Sequence, residues 1–239
     1  MTSRAGGALQ RLLASLSGLL AGLRTAFARS TDGRSTPPTR PHALPSPVSV
    51  VIPALNEERR IADVVRYALS DTACTEVIVI DDCSIDATHE LAEAAGAHVL
   101  TSSMLGKGES MLDGLNAAAH DIVVFLDGDL AGMQPEIVSR LAEPIRAGRA
   151  DLVKAAFGRA AGRVTELTAK PMLRVFFPEL ARLAQPLGGI VAARKALLRQ
   201  LKFEAGYGVG VGILVDAHRS GARLEEVDIR TIAHQSQSP

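Results

Sequence analysis

The sequence contains the stretch Ile122-Val123-Val124-Phe125-Leu126-Asp127-Gly128-Asp129. Consecutive apolar residues that begin with β-branched side chains are typical of a strand buried on both faces of a sheet. Two carboxylates follow the strand, at Asp127 and Asp129. In extended backbone they could face the same way and share a cation, and such hard oxygen ligands select Mg²⁺ or Mn²⁺. Because Asp is also common in turns, the triplet alone is a weak signal, and its place at a strand end gives it weight.

The segments around this stretch alternate between strand and helix periodicity. The predicted strands are residues 48–52, 77–80, 97–100 and 122–126, and the predicted helices cover about 61–69, 87–95 and 107–119. In the first helix, the predicted buried face comprises Ile61, Val64, Val65, Ala68 and Leu69. This alternation indicates an α/β fold with a mostly parallel sheet covered by helices on both faces. Ligands bind such sheets beyond the carboxyl ends of the strands, where the polar runs 53–58 and 81–86 are also expected.

A lysine between two glycines precedes the predicted helix at residue 107. In the segment Leu105-Gly106-Lys107-Gly108, a cation and free helix amides can meet a phosphate group. The spacing of a P-loop is absent, so a plain helix-start loop is the competing interpretation.

The composition excludes several functional classes. The 239 residues are 47% hydrophobic, with 26 basic and 26 acidic side chains, so no overall basic field indicates a nucleic-acid partner. The absence of Trp and an aromatic content of 3% disfavour a base-stacking surface. Cys74 and Cys83 have no metal-ligand spacing, which favours a reducing, cytoplasmic location.

Residues 1–47 differ from the remainder of the chain. They are rich in Arg with a single acid, Asp32, and they end in a Pro-rich run. Leucines at helical spacing between residues 9 and 23 predict a basic amphipathic helix that could contact an anionic membrane surface. A weakly ordered extension, or a start codon placed too early, is the alternative. Residues 48–239 are then expected to form one globular domain.

Together, these motifs resemble the GT-A fold glycosyltransferases of family two. The first half carries the resemblance through Val50–Glu58, Ile80–Asp86, Gly106–Gly108 and Asp127–Asp129. The second half looks like glucosyl-3-phosphoglycerate synthases, through Gly162–Leu167, Lys170-Pro171, Gln185–Gly189 and Gly206–Val209. The resemblance divides the domain into a nucleotide-sugar half, residues 48–130, and an acceptor half, residues 131–239.

The resemblance implies a retaining transfer of glucose from UDP-glucose to 3-phosphoglycerate by a homodimer that uses Mg²⁺ or Mn²⁺. The residues implied to hold the nucleotide sugar are Pro53, Ala54, Leu55, Glu57, Asp82, Lys107, Asp127 and Gly128. The implied metal ligands are Asp129 and His234, and the implied acceptor-binding residues are Gly162, Arg163 and Thr165. Asp129 and Lys107 are the residues expected to take part in catalysis.

The chain departs from this family at three positions. Gly210 follows Gly-Tyr-Gly-Val where the family has an acid, and Ile232 and Ser236 replace a basic residue and an amide beside the histidine. These losses reduce the expected capacity to bind sugar and phosphate. Two alternatives therefore stay open: an inverting transferase that acts on a polyprenyl phosphate, and a non-catalytic protein that binds nucleotide sugars.

Overall fold

The computed structural model describes residues 46–133, 136–158 and 162–229, and the backbone of residues 233–234. The predicted amphipathic helix lies outside these residues, and so do Ile232 and Ser236. In the described part of the chain, no helix combines the length and apolar character that crossing a bilayer requires.

Strands and helices alternate through the described residues. The strands are β1 (Val48–Ala54), β2 (Cys74–Asp81), β3 (His98–Thr101), β4 (Ile122–Phe125), β5 (Leu130–Ala131), β6 (Leu152–Ala156), β7 (Val191–Arg194), β8 (Leu224–Asp228) and β9 (Ala233–His234). The α-helices are α1 (Ile61–Ser70), α2 (Thr88–Ala94), α3 (Lys107–Ala117), α4 (Ile137–Arg146), α5 (Lys170–Phe176), α6 (Lys195–Leu198) and α7 (Val209–Arg219). The predicted strands and helices of the first half are present, with shifted ends; β2 begins three residues before its predicted start at 77.

Seven strands form one sheet in the order β3-β2-β1-β4-β7-β6-β8. Strand β7 runs antiparallel to both neighbours, and the other pairs are parallel. The prediction of a mostly parallel sheet is confirmed. The carboxyl ends of β1, β2 and β4 therefore meet at one edge, where the polar runs and the Asp triplet follow them. A second sheet pairs β5 with β9.

The sheet separates two hydrophobic cores. Val50 and Ile52 of β1 belong to the core that contains α1 and α4, whereas Val51 between them faces the core that contains α3 and α7. Burial on both faces explains the continuous apolar runs of the central strands. One helix prediction is wrong: Leu69 is 40% exposed, because it lies at the margin of the apolar stripe of α1 rather than on its buried centre.

Candidate active site

A cleft of about 540 Å³ lies at the carboxyl edge of the sheet. Its lining comprises Pro53, Ala54, Leu55, Asn56, Glu57, Asp82, Gly106, Lys107, Ser110, Asp127, Gly128, Asp129, Gly206 and Tyr207. Every residue predicted to hold the nucleotide sugar is in this set, together with the predicted ligand Asp129. The structure thus brings the predicted residues into one cavity from four segments of the chain, and residues 206–207 add a fifth.

Hydrogen bonds connect the loops after β1 and β2 at one end of the cleft. Asn56 adopts a positive φ of 57°, which Asn tolerates better than most residues. Its backbone N–H donates to the Ser84 hydroxyl at 2.9 Å, and its side-chain oxygen accepts from the Ile85 N–H at 2.9 Å. The Glu57 N–H donates to the Thr88 hydroxyl at 2.7 Å. These bonds hold the wall formed by residues 53–57 in a fixed position.

Asp82 anchors the turn that precedes α3. Its carboxylate, 8% exposed, accepts the Gly106 N–H at 3.0 and 3.1 Å from its two oxygens. Gly106 has a φ of +128°, and a Cβ there would lie 3.2 Å from the backbone nitrogen of Gly206. Only glycine satisfies both conditions. The turn therefore presents Lys107 and the amino end of α3 to the cleft, as expected for a phosphate site.

Lys107 forms an ion pair with Asp127 across the cleft. Lys107 Nζ lies 2.5 Å from Asp127 Oδ1, and the two side chains are 25% and 19% exposed. Burial opposes the charged ammonium, but the Asp127 carboxylate, together with Tyr207 and Asp129, outweighs it, so the pKa of Lys107 is raised. The Asp127-Gly128-Asp129 triplet itself forms a turn after β4 and not the extended backbone that we predicted. The turn directs one carboxylate of the triplet to the lysine.

Negative charge remains in excess near Asp129. Burial raises the pKa of Glu57 to about 7, and the charges of Asp129, Asp127 and Asp86 add to the effect. A divalent cation would relieve this repulsion, and carboxylate oxygens are the ligands that Mg²⁺ and Mn²⁺ prefer. The donor set therefore fits such a cation. Among the described side chains, however, no group of three or more acidic, His or Cys residues is arranged to hold a metal.

The second sheet places the backbone of the other predicted metal ligand, His234, beside the Asp triplet. Leu130 of β5 is paired with His234 of β9, so the backbone of His234 lies next to the residue that follows Asp129. The side chain of His234 is outside the described residues. The pairing explains how a histidine near the end of the sequence comes to the same edge as the Asp triplet.

The predicted acceptor residues lie at the start of a helical segment. Thr165 begins a π-helix, Thr165–Ala169, that continues into α5, and π-helical turns are frequent at functional sites. Thr165 is 6% exposed, whereas Gly162 and Arg163 are exposed. None of the three is among the residues that line the cleft.

Several residues in or near the cleft were not predicted as site residues; those that line it are Asn56, Gly106, Ser110, Gly206 and Tyr207. Tyr207, 77% exposed, lines the cleft. Gly189 packs against the ion pair, because a Cβ there would lie 2.1 Å from Asp127 Oδ1 and 2.8 Å from Lys107 Nζ. Lys154 is 2% exposed within β6. A lysine inside the apolar run 152–156 was a usable signal, since buried lysines are rare without a partner.

Comparison with known proteins places these features in a family. The profile described as "Glycosyl transferase family 2" matches residues 49–206. The chain is 38% identical to a glucosyl-3-phosphoglycerate synthase of Mycobacterium tuberculosis, over 79% of this chain and 67% of that protein. The chain thus spans about two thirds of the length of that relative.

The fold of the chain is also similar to solved structures of glucosyl-3-phosphoglycerate synthase. A crystal structure of the Mycobacterium tuberculosis glucosyl-3-phosphoglycerate synthase in complex with Mn²⁺, UDP-glucose and phosphoglyceric acid matches with a TM-score of 0.76 and 37% identity, over 81% of this chain and 73% of that chain. Another, in complex with Mg²⁺ and UDP, matches with a TM-score of 0.75 and 37% identity, over 83% of this chain and 78% of that chain.

Proposed function

Because the chain belongs to glycosyl transferase family 2, we propose that it transfers a hexosyl group from a UDP-sugar to a small acidic acceptor such as 3-phosphoglycerate, with retention at the anomeric carbon. The observation that carries the proposal is the convergence of Asp82, Lys107, Asp127 and Asp129 on one cleft at the carboxyl edge of the sheet. This is the place where α/β sheets bind nucleotides. The similar proteins solved with UDP-glucose and phosphoglyceric acid support the choice of substrates.

The nucleotide would occupy the cleft with its diphosphate at Lys107. The wall formed by residues 53–57 holds the uracil and ribose. Gly128 allows the nucleotide to approach the backbone, because it carries no side chain. A Cβ there would also lie 3.2 Å from Glu57 Cγ and press on the cleft wall. Lys107 donates to the diphosphate from the amino end of α3, where unpaired helix amides add to the attraction for anions.

The residues proposed to hold Mg²⁺ or Mn²⁺ are Asp129 and His234, whose backbones are brought together by the pairing of Leu130 with His234. When bound, a divalent cation neutralises the charge that develops on a departing diphosphate. Lys107 stabilises the same charge from its own side of the cleft.

The acceptor would be oriented by Arg163 and Thr165 through its acidic groups, since a guanidinium and a hydroxyl form a compact anion site. Its hydroxyl oxygen bonds to the anomeric carbon on the face from which the UDP oxygen departs. The hydroxyl proton leaves with the diphosphate. This scheme requires orientation and charge stabilisation and no protein nucleophile.

The experiment that tests the proposal incubates the purified protein with a UDP-hexose, 3-phosphoglycerate and Mg²⁺. We expect release of UDP together with a glycosylated acceptor whose anomeric configuration, read by NMR coupling constants, equals that of the donor. Inversion would refute retention. If the folded protein binds the UDP-hexose but releases no UDP with any acceptor tried, the non-catalytic alternative is indicated.

A homodimer belongs to the same proposal. The helical segment that contains the predicted acceptor site also carries the exposed apolar side chains of Leu167, Val175 and Phe176. Such a surface is compatible with a contact between two copies. Light scattering of the eluted protein is expected to give twice the monomer mass, and a monomer mass would refute the dimer.

A further inference from the structure

Lys154 is a buried cation that the proposed mechanism does not use. It lies within β6, and its side chain is 2% exposed. Leu152, two residues earlier on the same strand, belongs to the core that contains α3 and α7, so Lys154 points into that core as well. Burial lowers the pKa of Lys154 to about 8, and the carboxylates of Asp127 and Glu226 offset only part of this effect. The ammonium is therefore held at a cost to the fold.

The Lys154 ammonium holds the segment that leads into β7. It donates to the carbonyl oxygen of Gly188. The N–H of Ala155, the next residue on β6, donates to the carbonyl oxygen of Ile190 at 3.2 Å. Two successive residues of β6 thus fix the backbone on both sides of Gly189, one through its side chain and the other through its N–H group.

Gly189 carries this restraint to the nucleotide cleft. A Cβ at this position would lie 2.1 Å from Asp127 Oδ1 and 2.8 Å from Lys107 Nζ, so the backbone of Gly189 packs directly against the ion pair. Lys154 itself is not among the residues that line the cleft. It reaches the pair through this backbone and through the attraction between its ammonium and the Asp127 carboxylate.

Gly210 of α7 packs against the same segment. A Cβ at Gly210 would lie 3.2 Å from the carbonyl oxygen of Leu187 and 3.7 Å from that of Gly188. The space that remains beside Lys154 is a cavity of about 10 Å³, the size of one water molecule. Packing of this density leaves the Gly188 carbonyl little room to move, so a change at Lys154 is transmitted to its neighbours rather than absorbed.

Stability does not explain why a lysine stands at this position. Replacing buried charged groups by apolar residues of similar volume is often neutral or stabilising. The Lys154 ammonium acts instead on two groups next to Gly189, the Gly188 carbonyl and the Asp127 carboxylate. Residues that conflict with the apolar pattern of their strand are expected where a functional site requires them.

We propose that Lys154 is a positioning residue for the diphosphate of the donor. Its bond to Gly188 fixes the segment that packs on the ion pair, and this segment keeps Lys107 and Asp127 where the diphosphate binds. Lys154 touches no substrate and acts through the pair. This inference rests on the proposed function and adds to it a residue that lies outside the cleft.

The test is a double-mutant cycle, read by calorimetry of UDP binding to the full chain with Mg²⁺ present. Its members are wild type, Lys154→Met, Lys107→Met and the double variant. Met keeps most of the bulk of the buried side chain and removes the ammonium. Lys154→Met should raise the Kd for UDP about tenfold in wild type. In the Lys107→Met background the same change should raise it less than about twofold, because the group that Lys154 positions is already gone.

Two further variants show whether the bond to Gly188 is responsible. Lys154→Gln keeps an N–H donor for the Gly188 carbonyl and should recover part of the affinity that Lys154→Met loses; it also takes the place of the Met variant in the cycle if that variant does not fold. Lys195→Met is the matched control, because Lys195 also donates to a backbone carbonyl, that of Ala118, and does not line the cleft. It should leave the Kd for UDP unchanged.

The outcomes separate this inference from the proposed function. If UDP with Mg²⁺ does not bind wild type, both fail. If UDP binds wild type and Lys154→Met equally well, the positioning role is wrong and the transferase function stands. If Lys154→Met weakens UDP by the same factor with and without Lys107, it acts on the domain as a whole, and the role through the ion pair is overturned. A Gln variant that binds UDP no better than the Met variant overturns the route through Gly188.

Discussion

Lys107 Nζ and Asp127 Oδ1 lie 2.5 Å apart and join the first residue of α3 to the turn after β4. The two aspartates of the triplet therefore have different neighbours. Asp127 is engaged by the lysine, whereas Asp129 lies beside the strand pair that brings in the backbone of His234. Gly189 packs on the pair from the other side. Three predictions concern these residues, and a fourth concerns Lys154.

Lys107→Met should lower the rate of sugar transfer by about 100-fold, because the departing diphosphate loses a preorganised cation. The variant also removes the charge of Lys107 from beside Asp127 and Glu57, so we expect weaker binding of UDP. Steady-state kinetics and calorimetry check both effects. Lys202→Met breaks a comparable ion pair, 2.7 Å from Glu204, and should leave the rate unchanged. Equal losses in the two variants would contradict the assigned role of Lys107.

Gly189→Ala should impair UDP binding although it adds a single methyl group. The new Cβ would lie 2.1 Å from Asp127 Oδ1, so the ion pair must move. We expect the Kd for UDP to rise about tenfold, a shift of about 1.4 kcal/mol.

The control for this variant is Gly148→Ala. Gly148 has a φ of +70° and precedes β6, at the edge of the sheet opposite the cleft. The alanine should cost about 1–2 kcal/mol of stability through backbone strain, with no change in UDP affinity. If both alanines reduced stability and left UDP affinity unchanged, the ion pair would not be part of the nucleotide site.

Asp129→Asn should remove the metal dependence of UDP binding. The substitution keeps the shape of the side chain but removes the charge that a hard cation requires, so we expect Mn²⁺ affinity to fall by at least about tenfold. Electron paramagnetic resonance of free Mn²⁺ in the presence of UDP measures it. Asp63→Asn, at an exposed residue that pairs with Arg66 at 2.9 Å, is the control and should bind Mn²⁺ as wild type does. Unchanged Mn²⁺ binding in Asp129→Asn would exclude it as a ligand.

Lys154→Met should change how stability depends on pH. Burial lowers the pKa of Lys154 in the folded state to about 8 from the ordinary value of 10.5, so the unfolded chain binds more protons between these two values. Wild-type stability therefore contains a contribution that is present above pH 10.5 and is lost as the pH falls through 8. At pH 7 wild type therefore carries the full cost of a charged, buried ammonium; the Met variant does not, so its stability at pH 7 should rise by at most about 3 kcal/mol.

Denaturant unfolding at pH 7 to 10.5 measures this difference. Lys195→Met should keep the wild-type slope in the same series. A Met variant whose stability rises with pH as steeply as that of wild type would show that Lys154 is not the group responsible.

The sequence predicted the sheet and much of the cleft because both depend on local patterns. Strand β4 is buried on both faces, so its apolar run is uninterrupted, and the polar residues that follow it are placed by the direction of a parallel strand. The polar runs 53–58 and 81–86 were placed by the same reasoning at the ends of β1 and β2, whereas the family resemblance singled out Glu57 and Asp82 within them. Leu69 was placed wrongly because periodicity does not locate the margin of a helix face.

Local sequence therefore fixes the order of strands and helices and the edge at which the acidic groups gather, since strand direction and burial follow from consecutive residues. The pairings between distant segments arise from packing in three dimensions: Lys107 with Asp127, Gly189 against that pair, and β9 beside Asp129. The same packing places Lys154 under three glycines. These contacts depend on how β6, β7 and the loops of the second half pack against the first half, and no local periodicity encodes that packing.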